Sequence, residues 1–492
     1  MLAHLPILQV IVPLLAAPSC IILRRPGWVW LFALLVSGSA FLISIALLQQ
    51  VMDSGVIVYE LGGWEAPWGI EYRIDTLNSI LTLIITGIST IVLLAAHTSI
   101  QAEIPADRQT LFYVLYLLSL AGMLGIVTTG DAFNVFVFLE ISSLSAYALI
   151  ALGRDRRALW ASYQYLIMGS IGATFILIGI GLMYQMTGTL NMEDLSRRLP
   201  EVAQTRTVFT AFAFLIVGIC LKLALFPLHL WLPNAYAYAP SIVTAFLAAT
   251  ATKVALYLLI RFTYSVFGGS FSFTTLPLQT LFVVLGLLGV FVASTTAIYQ
   301  KNVKLLFAYS SVAQIGYMIV GYSIGTTAGL MATLLHMFNH ALMKGALFLA
   351  LGAVMYRIGS VQLRDFHGLG RQMPFTMAAI VVGSLSLIGV PLTVGFVSKW
   401  YLVLAAVENG WWPVAVLILL GSLLAIVYTW RIVEAAYFKA PQASIEQVKE
   451  APLSYLVPVW MLVSANIYFG IDTRLGVHVA TSAAQSLFGV GP

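Results

Sequence analysis

The sequence predicts an all-α polytopic membrane protein with about 14 transmembrane helices. Three observations carry that prediction. Of its 492 residues, 60% are hydrophobic and only 9% charged, against roughly 45–50% apolar and 25% charged in soluble domains. No soluble fold of this length could hide so much apolar surface. Apolar runs of about 20 residues, the length that crosses ~30 Å of hydrocarbon, recur along the whole chain. The alternating segments of about ten residues that mark a membrane barrel are absent.

The first span centres on Pro13 and is stopped by Arg24 and Arg25. These arginines follow the apolar run and no basic segment precedes it, so it reads as a retained span rather than a cleaved signal peptide. The next two spans centre on Leu42 and Ile85, separated by the acidic loop DSGVIVYELGGWEAPWGIEYRID. Spans four to eight centre on Leu118, Glu140, Gly172, Ile216 and Ala251. Spans nine to thirteen centre on Leu285, Ala313, Ala341, Ile388 and Leu420, and the last on Pro458. The whole chain then reads as one transmembrane domain. Spans one to three cover about residues 1–100, a first unit about 110–264, a second about 274–439, and span 14 about 450–470.

The connections, such as QAEIPADR, GRDRRA and QKNVK, are short. None could house a soluble domain, so no flavin, iron–sulfur cluster or nucleotide fold is expected and no cofactor is predicted. Cys20 and Cys220 lie inside apolar runs without ligand spacing, which suggests neither metal nor disulfide. The net charge of +5 is small for this size and speaks of membrane orientation, not of nucleic acid. With both termini outside the inner (plasma) membrane, 14 of the 24 arginines and lysines fall in cytoplasmic loops, as the positive-inside rule requires. Six, including Arg73 and Arg261, fall outside, together with Glu60, Glu65 and Glu71. Four lysines fit neither side: Lys222, Lys253, Lys344 and Lys399 all lie within spans.

An ionisable group at membrane depth costs at least ~2.5–3.5 kcal/mol, and such groups usually face the bundle interior and mark ion or proton pathways. Glu140, Lys222, Lys253, His336, His340, Lys344 and Lys399 are all of this kind. His336, His340 and Lys344 recur every four residues, a step of about 40° around a helix, and form one stripe about 12 Å long. Histidine titrates near neutrality, and a desolvated lysine gives up its proton more readily. A row of such groups can pass protons. The bland alternative is a satisfied buried histidine. Three groups on one face, with four other in-span charges, favour the relay. A metal pair at His336 and His340 is disfavoured, because Met337 stands where the zinc-protease pattern needs a glutamate.

Two spans are interrupted by proline, one at Pro227 after Lys222 and one near Gly389 and Pro391 before Lys399. They are the seventh and twelfth spans, five apart. Broken spans in corresponding positions point to an inverted-repeat transporter, here of two five-helix units, spans four to eight and nine to thirteen. A break also frees backbone carbonyls beside each lysine. Asp75, with Arg73, stands at a span entrance and Asp131 begins another, which reads as interfacial capping. Asp75 is kept as an accessory candidate. His229, next to the first break, fits either a structural or an accessory role.

The segments LKLALFPLHLWLPNAYAYAPSIVTAFLAATATKVALYLLIRF, GDAFNVFVFLEISSLSAYALI, KLLFAYSSVAQIGYMIVG, HMFNHALMKGALFLALG and GVPLTVGFVSKW resemble the proton-pumping membrane subunits of respiratory complex I and of Mrp-type cation/proton antiporters. The resemblance covers nearly the whole chain. It implies 14 helices in two inverted five-helix repeats. It also implies a pair of Glu140 with Lys222 of broken helix seven, and Lys253 as the connecting base of helix eight. His336, His340 and Lys344 match the polar helix eleven, and Lys399 the terminal charge of helix twelve. One complex I subunit has glutamate at that last position, and the largest carries a long lateral helix after span 14. Both features set those subunits apart from this sequence, which is most similar to the D-type subunits of Mrp antiporters.

Three functions are then open. The first is secondary exchange of a monovalent cation, Na+ or K+, for protons within a membrane hetero-oligomer. The second is proton pumping in a redox complex of the NADH:quinone oxidoreductase or membrane-bound hydrogenase kind. In the third, the buried charges only glue helices to partners. The sequence carries no nucleophile–base constellation, so a transporter subunit rather than an enzyme is expected.

Overall fold

The computed structural model describes residues 2–23, 25–441 and 448–489. Arg24 lies outside the described residues. The elements in order are α1 (Leu5–Ser19), α2 (Pro26–Ser54), β1 (Ile57–Glu60), β2 (Glu71–Ile74), α3 (Thr76–Glu103), α4 (Gln109–Thr128) and α5 (Ala132–Ala151). Then come α6 (Arg156–Thr187), α7 (Met192–Val202), α8 (Arg206–Leu223), α9 (Trp231–Tyr238), α10 (Ser241–Ile260), α11 (Leu278–Tyr299) and α12 (Val303–Ser323). The chain continues with α13 (Thr327–Ile358), α14 (Leu369–Gln372), α15 (Pro374–Ile388), α16 (Val394–Glu408), α17 (Trp412–Val433), α18 (Leu453–Ile471) and α19 (Arg474–Leu487). Among the described residues, 12 helices are long and apolar enough to cross a membrane. Two shorter apolar helices, α1 and α15, fall on the first and twelfth sequence-predicted spans.

Helix ends follow from local chemistry. Asp75 caps α3 in a reciprocal box with Asn78, each side chain taking the other's backbone N–H at 3.0 and 2.8 Å. Asp131 caps α5 through Asn134 N at 2.7 Å, so both aspartates do the capping expected of them. Asn191, Asn302 and Thr326 do the same for α7, α12 and α13. Gly188 and Gly359 close α6 and α13 in the left-handed conformation, which glycine adopts without steric cost.

The helix ends gather on two faces. On one, the β1–β2 hairpin pairs antiparallel from Ile57↔Ile74 to Glu60↔Glu71. A single bridge Tyr72↔Thr129 ties it to the α4–α5 turn, which a second bridge, Asp131↔Asn191, joins to the α6–α7 turn. On the opposite face, Glu103 accepts from the backbone N–H of Ser241 at 2.9 Å. There Arg357 donates to Glu450 O, and Arg431 to the carbonyls of Ile298 and Gln300.

The middle of the bundle is α10, in which every residue but Ala251 is buried. Around it pack α3, α8 and α13. Close approach of α6 and α8 rests on Gly172 and Gly218: a methyl on Gly218 would lie 2.6 Å from the Gly172 carbonyl oxygen. Small residues let membrane helices approach in this way, and here they set Lys222 of α8 against α5 and α6.

Both predicted breaks are present. After Lys222, α8 ends at Leu223 and Ala224 turns left-handed (φ 58°) before α9 begins at Trp231. After Ile388, α15 ends at Gly389 (φ 91°) before α16 begins at Val394. The freed carbonyls find different partners. Leu221 O receives the Trp231 indole at 3.0 Å. Leu387 O and Ile388 O receive the Lys399 ammonium itself, at 2.8 and 3.1 Å.

Candidate functional site

All four in-span lysines are buried: Lys222 is 8% exposed, Lys399 6%, and Lys253 and Lys344 are fully enclosed. Among the described residues, none of them has a carboxylate within ion-pair distance. Each is held by neutral oxygens instead.

Lys222 Nζ donates to Ser143 Oγ at 2.9 Å and Tyr147 OH at 3.2 Å, both on α5. Glu140, which the resemblance pairs with Lys222, makes no direct contact with it: no oxygen of Glu140 comes within 4 Å of the ammonium. The reason lies in the helix register. Glu140 is half-buried and sits at the edge of an outward stripe with exposed Phe133, Val137 and Leu144. Ser143 points inward, where the ammonium arrives. One Glu140 oxygen, Oε1, is nonetheless buried and has no protein partner. Beside Lys222 lies a 40 Å³ cavity lined by Ser119, Ser142, Ser143 and Tyr165, and on its far wall by Ala251, Val254 and Ala255 of α10. At roughly 10–15 Å³ each, about three waters fit there.

Lys253, on α10, donates only to Ala248 O, at 2.5 Å. On α13 the predicted stripe is real. The rings of His336 and His340 lie nearly parallel, with centroids 6.2 Å apart. His336 bridges two helices: Nδ1 is 2.8 Å from Ser398 Oγ on α16, and Nε2 is 2.9 Å from Gln314 Oε1 on α12. His340 is fully enclosed, and neither of its ring nitrogens has a protein partner. Lys344 donates to Phe307 O at 2.8 Å and Ser310 Oγ at 2.5 Å. Lys399 adds Ser422 Oγ at 3.0 Å to its two carbonyls, and its ammonium lies 4.7 Å from the Tyr317 ring centre. His336 and Lys399 are thus brought together by Ser398 and the Tyr317 ring, whereas Lys344 is held by α12. Lys253 belongs to α10 itself, and Lys222 stands across the small cavity from that helix.

The accessory candidates lie apart from this row. His229 is buried just past the first break, with its ring stacked on Phe226. Asp75 is at the hairpin face, where its carboxylate meets Arg261 at 2.7 Å. Hydropathy put Arg261 in an outer loop and Lys304 in a cytoplasmic one, but the structure buries both, at 9% and 3% exposure. Lys304 donates to Ala239 O at 3.2 Å and lines a 190 Å³ cavity with Glu103, Arg154 and Asp155 at the face opposite the hairpin. The Arg157 guanidinium holds the Asp155 carboxyl below the usual carboxylate range.

Sequence reasoning missed Ser143, Tyr147, Ser310, Gln314, Tyr317 and Ser398. A signal existed for three of them. Ser310, Gln314 and Tyr317 recur at steps of four and three and so share one face of α12. No set of three or more His, Cys, Asp or Glu among the described residues is placed to hold a metal ion. The arrangement is suited to moving protons between neutral and charged amines, imidazoles and hydroxyls.

The family model described as NADH:quinone oxidoreductase/Mrp antiporter, TM, matches residues 129–425, which contain the whole row. The chain is 42% identical over 492 residues to the N-type subunit of the NADH-quinone oxidoreductase of Desulforudis audaxviator, covering 96% of each. It is 31% identical over 429 residues to the D-type subunit of the Na(+)/H(+) antiporter of Alkalihalophilus pseudofirmus, covering 87% of this chain and 86% of that one. A chain of the membrane-bound sulfane sulfur reductase, an archaeal respiratory membrane complex, superposes with a TM-score of 0.91 at 31% identity, over 99% of this chain and 98% of that one. A multi-pass bundle with buried amines and imidazoles, matched over this length and at this identity, belongs to the NADH:quinone oxidoreductase/Mrp antiporter membrane family.

Proposed function

We propose that this chain is the proton-translocating subunit of a multisubunit monovalent cation/proton antiporter, exchanging Na+ or K+ for protons. The observation that carries the reading is the set of four buried lysines without a carboxylate partner. A fold does not keep such groups for stability, because each is costly at membrane depth. In this reading Glu140 acts on Lys222 through its field rather than by contact. Weakening that field frees the Lys222 proton, which crosses the small cavity toward Lys253. Lys344, His340 and His336 then carry it toward Lys399. Waters complete the steps the side chains do not span.

The two breaks fit spans seven and twelve of two inverted five-helix units, with the hairpin face and both termini outside the inner membrane. A carboxylate at the lipid-facing edge of α5 is costly, so a further membrane subunit is expected to cover Glu140. Protons, a monovalent cation and the lipid bilayer complete the expected partners.

A second reading rests on the 42% identity to an NADH-quinone oxidoreductase subunit. There the same row is driven by electron transfer in soluble subunits. Purification of the tagged chain from its native membrane in mild detergent separates the two. Small membrane partners without flavin or iron–sulfur absorbance, and Na+- or K+-dependent proton exchange in liposomes, are expected. Co-purifying redox subunits would replace the antiporter reading with the pump.

One further prediction concerns Gly169 on α6. A methyl there would press on the Tyr147 hydroxyl and lie 3.3 Å from Lys222 Nζ. A misplacement of about 1 Å in a reacting group can cost ~100-fold. Gly169→Ala should therefore slow exchange by at least ~tenfold while the complex still assembles, measured as proton flux per reconstituted complex.

A further inference from the structure

Lys253, Tyr257 and Arg261 follow one another at four-residue steps on α10, and so line one face over about 12 Å of rise. The upper end of this face meets the hairpin. There Arg261 pairs with Asp75 at 2.7 Å, with side chains only 11% and 14% exposed. Its Nε donates to Tyr257 OH at 3.2 Å and Nη1 to Ser265 Oγ at 3.3 Å. Tyr257 OH in turn donates to Val127 O at 2.9 Å. At Arg261 the helix changes from α- to π-type hydrogen bonding, through Val266, a distortion frequent at functional sites.

Above this pair opens a 260 Å³ cavity lined by Glu71, Arg73, Asp75, Glu193, Arg261 and Ser265. It is large enough for several waters, and five charged side chains, Glu71, Arg73, Asp75, Glu193 and Arg261, line it. Below it, on the same helix face, is Lys253. A buried ion pair contributes little net stability once desolvation is counted, so a strut explains its position poorly.

We propose that the Asp75–Arg261 pair, with Tyr257, is the gate between Lys253 and the aqueous pocket at the hairpin face. This rests on the proton-translocation reading above. Closed, the pair covers the route. When it parts, water in the pocket reaches down the α10 face. The Lys253 ammonium then passes one proton to that water, becoming the neutral amine, and is protonated again from the Lys222 side.

The test uses the whole complex in liposomes with an imposed pH difference and no exchangeable cation. Wild type should hold the gradient. Arg261→Gln should lose it, Arg261→Lys should hold it, and adding Lys253→Met to Arg261→Gln should restore tightness. A tight Arg261→Gln complex with wild-type exchange overturns the gate, as does a leak that persists without Lys253. If Arg261→Gln does not assemble, Asp75→Asn is read in the same way. Ser265→Cys, with Cys20 and Cys220 replaced by alanine, gives a readout that needs no change in the pair. Labelling by a membrane-impermeant maleimide from the hairpin side supports the pocket's role, and no labelling overturns it. Exchange that survives Lys222→Ala would instead remove the underlying reading, whatever the leak does.

Discussion

Lys222→Ala should reduce proton-coupled exchange by at least ~100-fold, the scale on which positioned proton donors and acceptors act. The complex should still assemble. Lys222 makes its contacts through one ammonium, to Ser143 and Tyr147, and its removal leaves two hydroxyls beside a cavity that water can enter. Lys222→Arg is the sharper version. Arginine keeps the charge but does not release its proton, so it should be as inactive as alanine. A protein that needs only a positive charge there, to hold α5 against α8, would transport normally with arginine. Glu140→Gln should also abolish exchange, even though Glu140 does not touch Lys222, because the carboxylate field is what holds the proton there. Proton flux into liposomes, set against the amount of assembled complex, checks all three. Normal flux in either the arginine or the glutamine variant would sink the relay.

Lys253→Met should abolish exchange and at the same time raise thermal stability. Lys253 is fully enclosed and its sole hydrogen-bond partner is a backbone carbonyl of its own helix. Methionine has similar length and removes a group worth about 2.5–3.5 kcal/mol of insertion cost. No acceptor is orphaned by the change, since Ala248 O also lies within the α10 hydrogen-bond ladder. The melting temperature of the purified complex should rise while flux falls to background. If the buried lysines served as structural glue, the signs would reverse: the variant would melt earlier, and any loss of flux would follow loss of assembly. The same logic makes Lys344→Met less favourable, because Phe307 O and Ser310 Oγ would both lose the ammonium, although Ser310 keeps its bond to Phe307 O.

The spans, the two helix breaks and the row of misplaced charges were legible in the sequence because each is local. A run of about 20 apolar residues must become a helix in lipid, where no other structure satisfies its backbone. Pro227 and Gly389 interrupt such runs wherever they stand. A lysine in the run is visible as a cost. The His336, His340 and Lys344 stripe follows from helical spacing alone.

The tertiary structure decided what each charge meets. Lys222 is held by Ser143 and Tyr147 rather than by Glu140, because the rotation of α5 turns that carboxylate to the bundle edge. Lys399 fills the carbonyls opened by its own break, whereas at the first break Trp231 takes the corresponding oxygen. Arg261 and Lys304 looked like loop charges, since they border apolar runs, yet neighbouring helices enclose them. Asp75 reads locally as a helix cap, and only the packing of α3 against α10 brings Arg261 to it. Hydropathy and spacing sum over one segment at a time. Partner choice depends on the rotation and depth of two segments together, and that was settled by contacts such as Gly172 on Gly218.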